Sequence, residues 1–183
     1  MERISVLIPQ EKVEARIREM AAEISLDYAG REIRMVGILK GASFFMCELA
    51  KAVTVPVSID FMQVSSYGSA TESTGTVKIR KDLDDSIEGL DVIIVEDIVD
   101  SGRTLEFLGN FLKCKGAKSI RYCTLLDKPE RRVVDLKADY YGFAIPDRFV
   151  VGYGMDYDQK YRNLPYIGVV EQFETAPAAT AEA

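Results

Sequence analysis

The 183-residue chain contains no histidine. Ser-His-Asp and Cys-His catalysis are therefore excluded, and so are metal sites that use imidazole ligands. Any acid–base chemistry must use carboxylates, Lys, Tyr, Cys or the substrate itself. Any metal site is expected to have oxygen ligands, which favours Mg²⁺ or a similar hard cation.

Cysteine is also scarce, with Cys47, Cys114 and Cys123 and no CxxC motif. This pattern indicates neither a disulfide framework nor a zinc ribbon. Reduced thiols and a cytoplasmic location are expected. The N-terminal segment lacks a basic start followed by a long apolar run, so we expect no signal peptide. No apolar stretch approaches the roughly 20 residues that span a bilayer, so we expect no membrane segment.

Basic residues are fewer than acidic ones, and the 23 basic and 29 acidic residues give a net charge of 23 − 29 = −6. A nucleic-acid partner is not expected, since phosphate backbones require Lys and Arg footprints. A local basic site is still compatible with this balance. The length fits one domain, which we predict over residues 1–174, followed by a disordered low-complexity tail at 175–183.

What the chain does contain is an alternation of apolar strands and amphipathic helices. Continuous apolar strands of this kind predict an α/β fold with a central, mainly parallel sheet flanked by helices. Strands are predicted over residues 34–40, 55–64, 91–95, 119–126 and 140–144, and helices over 9–26, 43–53 and 104–114, with Ser43 as an N-cap. Residues 77–83 are predicted as the return arm of a hairpin, and short apolar runs follow at 149–153 and 166–170.

Between the two arms of that hairpin lies the segment SSYGSATESTGT, residues 65–76. Nine of its twelve residues are Ser, Thr or Gly. The segment is too polar to pack and too long for a tight turn, so it is predicted to be a mobile loop.

The stretch VIIVEDIVDSGRTL, residues 92–105, has the strongest functional pattern. Gly102 in a sharp strand-to-helix turn allows consecutive backbone N–H groups to point inward, and the following helix adds its N-terminal partial charge. Ser101 and Thr104 add hydroxyl donors. The pattern predicts a phosphate site, although neither GxxxxGK[ST] nor GxGxxG is present.

Three carboxylates precede that turn, and they repel a phosphate. Glu96 and Asp97 are suited to a ribose diol or to Mg²⁺ bound to it, while Asp100 is placed to sense or remove a proton. A sugar phosphate explains both halves of the motif. The alternative is a strand end with solvated acids and an ordinary helix cap.

These residues resemble the phosphoribosyl-pyrophosphate motif of type I phosphoribosyltransferases, and other segments are similar to the hypoxanthine-guanine subfamily. ILKGASFFMCELA, SSYGSATESTG, LLDKPERR and PDRFVVGYGMDYDQKYRNLPYIGVV match its pattern in order, over about residues 34–171. Arg103 and Ser101 stand where some relatives have Lys and Thr, which is typical of bacterial members. The resemblance implies the type I fold, with a small hood formed by the N- and C-terminal segments.

The resemblance also implies roles for the residues that bind phosphoribosyl pyrophosphate. Ser101, Gly102, Arg103 and Thr104 would hold the 5′-phosphate, and Glu96 and Asp97 the ribose hydroxyls and the metal. Lys40 and Gly41 would bind pyrophosphate, with a cis bond at Leu39–Lys40. Arg162 would be a further pyrophosphate contact, Asp156 a further metal-linked carboxylate, and Ser66 and Tyr67 the start of a lid.

For the purine, the resemblance implies that Asp100 is the general base at N7. Lys128 would contact the 6-oxo group, Phe149 would stack on the ring, and Val150 and Asp156 would line the base site. Without the resemblance, Phe149 would be interpreted as a core residue, and a surface lysine remains the alternative for Lys128.

The implied activity is purine salvage. The enzyme would transfer a 5-phosphoribosyl group from phosphoribosyl pyrophosphate to hypoxanthine or guanine, giving IMP or GMP and pyrophosphate, with Mg²⁺ as cofactor. A homodimer or homotetramer is expected. Two alternatives are an RNA-binding regulator on the same fold and a phosphoacceptor signalling domain. The net charge argues against the first, and the second leaves the residues from Ser101 to Thr104 without a function.

Overall fold

The computed structural model describes residues 2–67 and 76–172. In chain order the elements are β1 (Glu2–Ile8), α1 (Gln10–Asp27), β2 (Ile33–Leu39), α2 (Ser43–Ala52), β3 (Val57–Tyr67), β4 (Thr76–Lys81), β5 (Asp91–Val99), α3 (Arg103–Cys114), β6 (Ser119–Asp127), a 3₁₀ turn (Pro129–Arg131), β7 (Tyr140–Ala144), β8 (Val150–Val151) and β9 (Ile167–Gln172).

The main sheet has six strands in the order β4-β3-β2-β5-β6-β7. All pairs are parallel except β3 with β4, which form the antiparallel hairpin predicted from the sequence. The strand that follows β2 in the chain, β3, lies on one side of the β2–β5 pair within the sheet, and the strand that follows β5, β6, lies on the other side. This reversal between two central strands is where ligands bind in open α/β sheets, at the carboxyl edge.

Two apolar layers cover the sheet. On one face α1 and α2 pack through residues such as Ile17, Met20 and Phe45, and on the other α3 packs through Leu105 and Leu108. Burial on both faces explains why the central strands have continuous apolar sequences.

A second sheet of three antiparallel strands, β1-β9-β8, joins the two ends of the chain. It is the hood that the resemblance implied. Strand β1 pairs with β9 from Glu2↔Gln172 to Ile8↔Ile167. The sequence reading assigned no strand before residue 9, since β1 owes its form to a partner about 160 residues away.

Beyond shifts of one or two residues at element ends, three features differ from the sequence predictions. Strand β5 continues to Val99, because β6 supplies a pairing partner as far as Asp127. Strand β3 includes residues 65–67, which were predicted as loop, and residues 68–75 of that loop lie outside the described part of the chain. The predicted Ser43 cap is wrong: Ala42 is the N-cap, and Ser43 Oγ donates to Lys40 O at 2.7 Å.

Nothing among the described helices has the length and apolar content that crossing a bilayer requires. The predicted tail at 175–183 lies outside the described residues.

Candidate active site

Three neighbouring strands end at the same edge of the sheet and place the predicted site residues there. Lys40 follows β2, Asp100 follows β5 and Lys128 follows β6. Because parallel strands point the same way, segments far apart in sequence converge at their carboxyl ends.

The predicted phosphate site has the backbone that an anion requires. Gly102 caps α3 with φ +84°, and a β-carbon there would lie 2.7 Å from Val134 Cγ2. Only glycine therefore fits this turn. Arg103 N donates to Ser101 Oγ at 3.4 Å, so Ser101 faces the helix start. The first N–H groups of a helix have no intrahelical acceptor, which leaves them for a ligand.

Two enclosed carboxyl groups, those of Glu96 and Asp97, lie in β5 before that turn. Burial, together with the neighbouring Asp97 charge, raises the pKa of Glu96 well above its usual value. Burial also raises the pKa of Asp97, although Ile98 N donates to its Oδ1 at 2.8 Å. Glu96 Oε2 is buried without a hydrogen-bond partner. A buried polar atom without a partner suits a site that receives a ligand or cation.

This oxygen-rich pair fits Mg²⁺, which prefers a few carboxylates completed by substrate oxygens and water. Within residues 2–67 and 76–172, however, no group of three metal-ligating side chains is assembled. The Asp156 carboxylate lies 2.7 Å from Arg162 Nη2 and accepts from Gln159 N at 2.8 Å. The structure therefore does not gather Asp156 with Glu96 and Asp97 into one ligand set.

The segment predicted to bind pyrophosphate is held between two other parts of the chain. The Leu39–Lys40 peptide bond is cis, as the resemblance implied. A β-carbon on Gly41 would lie 1.7 Å from Asp97 Oδ2, and one on Gly154 would lie 1.9 Å from Gly41 O. Gly41 therefore sits in direct contact with Asp97 and Gly154.

Two cations converge near this segment. Lys40 Nζ and Arg162 Nη2 each lie 3.4 Å from Gln159 Oε1, and Arg162 Nη1 donates to Gly154 O at 2.7 Å. The sequence reading missed Gln159, whose φ of +64° belongs to a tight turn that local patterns did not reveal. Lys40 and Arg162 together can attract an anionic group.

A cavity of about 230 Å³ opens between these segments and the hood. Six of the predicted residues line it, namely Asp97, Asp100, Lys128, Phe149, Val150 and Asp156. Ile98 and Met155 complete the apolar part and were not predicted. The volume is below the roughly 300–1,000 Å³ of drug-sized pockets, which suits a small planar group.

A larger cavity of about 520 Å³ lies between α1, α2 and residues 163–165. It contains Phe44, Tyr153 and Leu164 but none of the acids that follow β5. We assign the chemistry to the smaller cavity, because charged donors and acceptors from several strands meet there.

Phe149 is 54% exposed, so the reading of this residue as core is wrong. Its ring meets Tyr157 edge-on, with centroids 5.4 Å apart and planes at 89°. One face of an exposed aromatic ring at a cavity mouth can stack on a planar ligand.

Lys128 is 9% exposed, so it is not a surface lysine. Its Nζ lies 3.2 Å from Asp147 Oδ1, and Asp147 Oδ2 lies 2.9 Å from Arg131 Nη1. Hydrogen bonds from Arg131 and Lys128 hold the pKa of Asp147 below its usual value. Arg131 Nε also lies 2.6 Å from Asp100 Oδ1. The sequence reading missed Arg131 and Asp147.

Ser66 and Tyr67, the predicted start of a lid, lie at the end of β3. Their side chains, and residues 68–75, are outside the described part of the chain.

Comparison with curated proteins gives matches to single-activity and bifunctional relatives. The chain is 51% identical over 166 residues to the hypoxanthine-guanine phosphoribosyltransferase of Bacillus subtilis, covering 91% of this chain and 92% of that protein. It is 51% identical over 169 residues to the hypoxanthine phosphoribosyltransferase of Salmonella typhimurium, covering 91% and 95%. It is also 52% identical over 166 residues to the bifunctional protein TilS/HprT of Listeria monocytogenes, covering 91% of this chain and 26% of that protein's length.

Solved structures agree with the fold. A hypoxanthine-guanine phosphoribosyltransferase from Bacillus anthracis, with HEPES in its active site, superposes with a TM-score of 0.89 at 49% identity, covering 92% of this chain and 100% of that one. A hypoxanthine phosphoribosyltransferase from Staphylococcus aureus gives 0.88 at 49% identity, covering 91% of each chain.

The family model described as phosphoribosyl transferase domain matches residues 7–158. That range contains β2 to β8, the three strand ends that form the site and the cavity beside them. The chain belongs to the phosphoribosyl transferase domain family, with the type I fold.

Proposed function

We propose that this chain is a purine-salvage phosphoribosyltransferase. It transfers the 5-phosphoribosyl group from phosphoribosyl pyrophosphate to hypoxanthine or guanine, and releases IMP or GMP with pyrophosphate. The observation that carries this proposal is the meeting of Asp100, Lys128 and Phe149 around one cavity of about 230 Å³ at the carboxyl end of β5. The relatives whose length this chain matches almost completely are named for this activity.

The phosphoribosyl half of the substrate lies along β5 and α3. The N–H groups of Gly102, Arg103 and Thr104, with the Ser101 hydroxyl, bind the 5′-phosphate. Glu96 and Asp97 accept hydrogen bonds from the ribose hydroxyls. When ionised, both carboxylates also favour the cationic character that the ribose ring gains when its C1′ bond breaks.

Pyrophosphate leaves toward the segment of Lys40 and Gly41, where Lys40 and Arg162 offer positive charge. Glu96 and Asp97 are the residues that would hold Mg²⁺, together with substrate oxygens, and Asp156 could contact it through water. When bound, the ion neutralises charge that accumulates on the leaving group.

The purine occupies the cavity with its ring against Phe149. Asp100 accepts the N7 proton, since a carboxylate within hydrogen-bond reach can act as a general base. Lys128 donates to the 6-oxo group and so favours an oxo acceptor over the amino donor of adenine. Val150 offers backbone groups to the purine edge. Ser66 and Tyr67, at the end of β3, begin the lid that the resemblance implies, and a lid would protect the reactive sugar from water.

Assembly as a homodimer or homotetramer and a cytoplasmic location are also part of this proposal. The oligomeric state follows from the family resemblance, and the location follows from the cysteine pattern. Light scattering of the purified protein tests the first, and cell fractionation tests the second.

A panel of bases tests the function. The purified protein, phosphoribosyl pyrophosphate and Mg²⁺ are incubated with hypoxanthine, guanine, xanthine or adenine, and nucleotide formation is followed. Nucleotide from hypoxanthine or guanine, with little from adenine, is expected. Reaction with adenine alone would overturn the role of Lys128, and no nucleotide from any base would overturn the function.

Replacing Asp100 tests the general base. Asp100→Ala should lower kcat by roughly 10²–10⁴-fold, the usual contribution of such a group. The affinity for phosphoribosyl pyrophosphate should change less, because the N–H groups of α3 are untouched. Near-normal turnover in this variant would remove the assignment.

A further inference from the structure

Four charged side chains form a continuous chain along the rim of the purine cavity. In order they are Asp100, Arg131, Asp147 and Lys128, joined by contacts of 2.6, 2.9 and 3.2 Å. Asp100 and Lys128, the two ends, line the cavity. Arg131 and Asp147 are the two middle members, and neither lines the cavity.

The backbone that carries Arg131 is fixed from both sides. Arg131 ends the 3₁₀ turn that directly follows Lys128, and its N–H donates to Lys128 O at 3.1 Å. The next residue, Arg132, donates to Asp100 O at 3.2 Å and pairs with Asp127. The turn is therefore tied to the segment that contains Asp100, and the Arg131 side chain starts from a defined position.

The guanidinium of Arg131 uses different nitrogens for its two carboxylates. Nε contacts Asp100 Oδ1, and Nη1 contacts Asp147 Oδ2. Such a planar fork fixes direction as well as distance. Asp147 then uses its second oxygen, Oδ1, for Lys128. Asp100 keeps Oδ2 for another hydrogen-bond partner, since an ionised carboxylate has about four acceptor positions.

We propose that Arg131 is a positioning residue for the transfer reaction, a role that rests on the proposed function. It holds Asp100 Oδ1 so that Oδ2 faces the purine N7, and through Asp147 it fixes the Lys128 ammonium toward the 6-oxo group. The carboxylate that accepts the N7 proton and the ammonium that donates to the 6-oxo group are thereby held at a fixed separation. Arg131 itself does not contact the purine.

Fold stability is a poor explanation for this contact. The Arg131 side chain is 51% exposed and the Asp100 side chain 45% exposed. Exposed ion pairs contribute little to the free energy of unfolding. Removing Arg131 should therefore leave the fold intact and change the orientation of two groups that act on the purine.

The expected effect falls on the purine. Arg131→Gln should lower kcat/KM for hypoxanthine about tenfold to a hundredfold, as a misplacement of about 1 Å does. The KM for phosphoribosyl pyrophosphate should change by less than about twofold, because its proposed binding groups are residues 96–97 and 101–104, the Lys40–Gly41 segment and Arg162, none of which contacts Arg131 in the described part of the chain. Arg131→Lys should recover part of the loss, since an ammonium retains the charge but not the fork.

The experiment compares steady-state constants and melting temperatures of the wild type, Arg131→Gln, Arg131→Lys and Lys137→Gln. Lys137 lies in the same β6–β7 connection and is exposed, and among the described residues it contacts no carboxylate of the chain of four. Lys137→Gln is therefore a matched loss of one positive charge, and it should behave as the wild type.

A double-mutant cycle with Asp100→Asn separates positioning from other roles. If Arg131 acts largely through Asp100, then Arg131→Gln should cost much less in the Asp100→Asn background than in the wild type. Equal losses in both backgrounds would overturn the positioning of Asp100, and a raised KM for phosphoribosyl pyrophosphate or unchanged constants in Arg131→Gln would overturn the positioning role as a whole. An active wild type with any of these results leaves the proposed function standing, whereas an inactive wild type removes both.

Discussion

Replacing Gly154 with alanine tests how closely the loop after β8 is packed against Gly41, in the segment proposed to bind pyrophosphate. A β-carbon on Gly154 would lie 1.9 Å from Gly41 O, whereas ordinary contact begins at 3.4 Å, so the two segments must separate by about 3.4 − 1.9 = 1.5 Å. The obstacle is a backbone oxygen, which cannot rotate away as a side chain can. Gly154 also has φ +100°, which an L-residue adopts only with strain of about 1–3 kcal/mol.

The displacement should affect catalysis more than the fold. Gly154 O accepts a hydrogen bond from Arg162 Nη1, and Gly41 is in contact with Asp97. A displacement would therefore move both Arg162 and the Gly41 segment, which are the proposed contacts of the leaving pyrophosphate. A shift of about 1 Å at a reacting group can cost about 10²-fold. We expect Gly154→Ala to lower kcat/KM for phosphoribosyl pyrophosphate by at least about that factor.

Two matched controls isolate the strain. Gly30 and Gly89 both have φ +74°, and neither has any atom within 4 Å of the added β-carbon. Gly30→Ala and Gly89→Ala should lower the free energy of unfolding by about 1–3 kcal/mol and leave the kinetic constants unchanged. If Gly154→Ala has the same kinetic constants as these controls, the argument from close contact is refuted.

Three further predictions address the base, the metal and the fold. Phe149→Ala should raise the KM for hypoxanthine by about 5–150-fold, the equivalent of about 1–3 kcal/mol of stacking, with a small change in melting temperature because the ring is 54% exposed. An unchanged KM in steady-state assays would exclude stacking. Chelation of Mg²⁺ should abolish nucleotide formation, while Mg²⁺ added to the ligand-free protein should barely raise its melting temperature, since the described residues hold no three-ligand cluster. A large rise without substrate would contradict this. A hydrogen bond from Ser119, with the charges of Lys118 and Arg31, lowers the pKa of buried Asp91. Its contribution to stability is therefore present above the unfolded pKa of about 3.9 and is lost as the pH falls through the lower folded pKa. Asp91→Asn should lower the free energy of unfolding by about 1–3 kcal/mol at pH 7 and by progressively less below about pH 4. Urea unfolding in which the variant differs from the wild type by the same amount at every pH would contradict this.

Local patterns revealed the main sheet and its helices. The spacing of Val13, Ile17 and Ile24 predicted α1, and all three are buried. The apolar run after Asp91 predicted β5, although its true end at Val99 depends on pairing with β6. Elements whose form depends on a distant partner, such as β1 in the hood, left no comparable local signal.

In the site, too, features with a local sequence signal were predicted and contacts between distant residues were not. The phosphate turn was recognisable because glycine, hydroxyls and a helix start occur together in residues 101–104. The Asp100–Arg131 pair joins residues 31 positions apart, and the Gly41–Gly154 contact joins two loops. No local spacing encodes such contacts. Sequence alone favoured a core position for Phe149, whose ring is 54% exposed, and only the resemblance implied that it stacks on the base.

A crystal structure of the protein with IMP would test the central claim most directly. It should show the 5′-phosphate on the N–H groups of Gly102, Arg103 and Thr104, with Asp100 facing N7 and Lys128 facing O6. A phosphate bound elsewhere, with the Asp100 carboxylate directed into bulk water, would contradict the account.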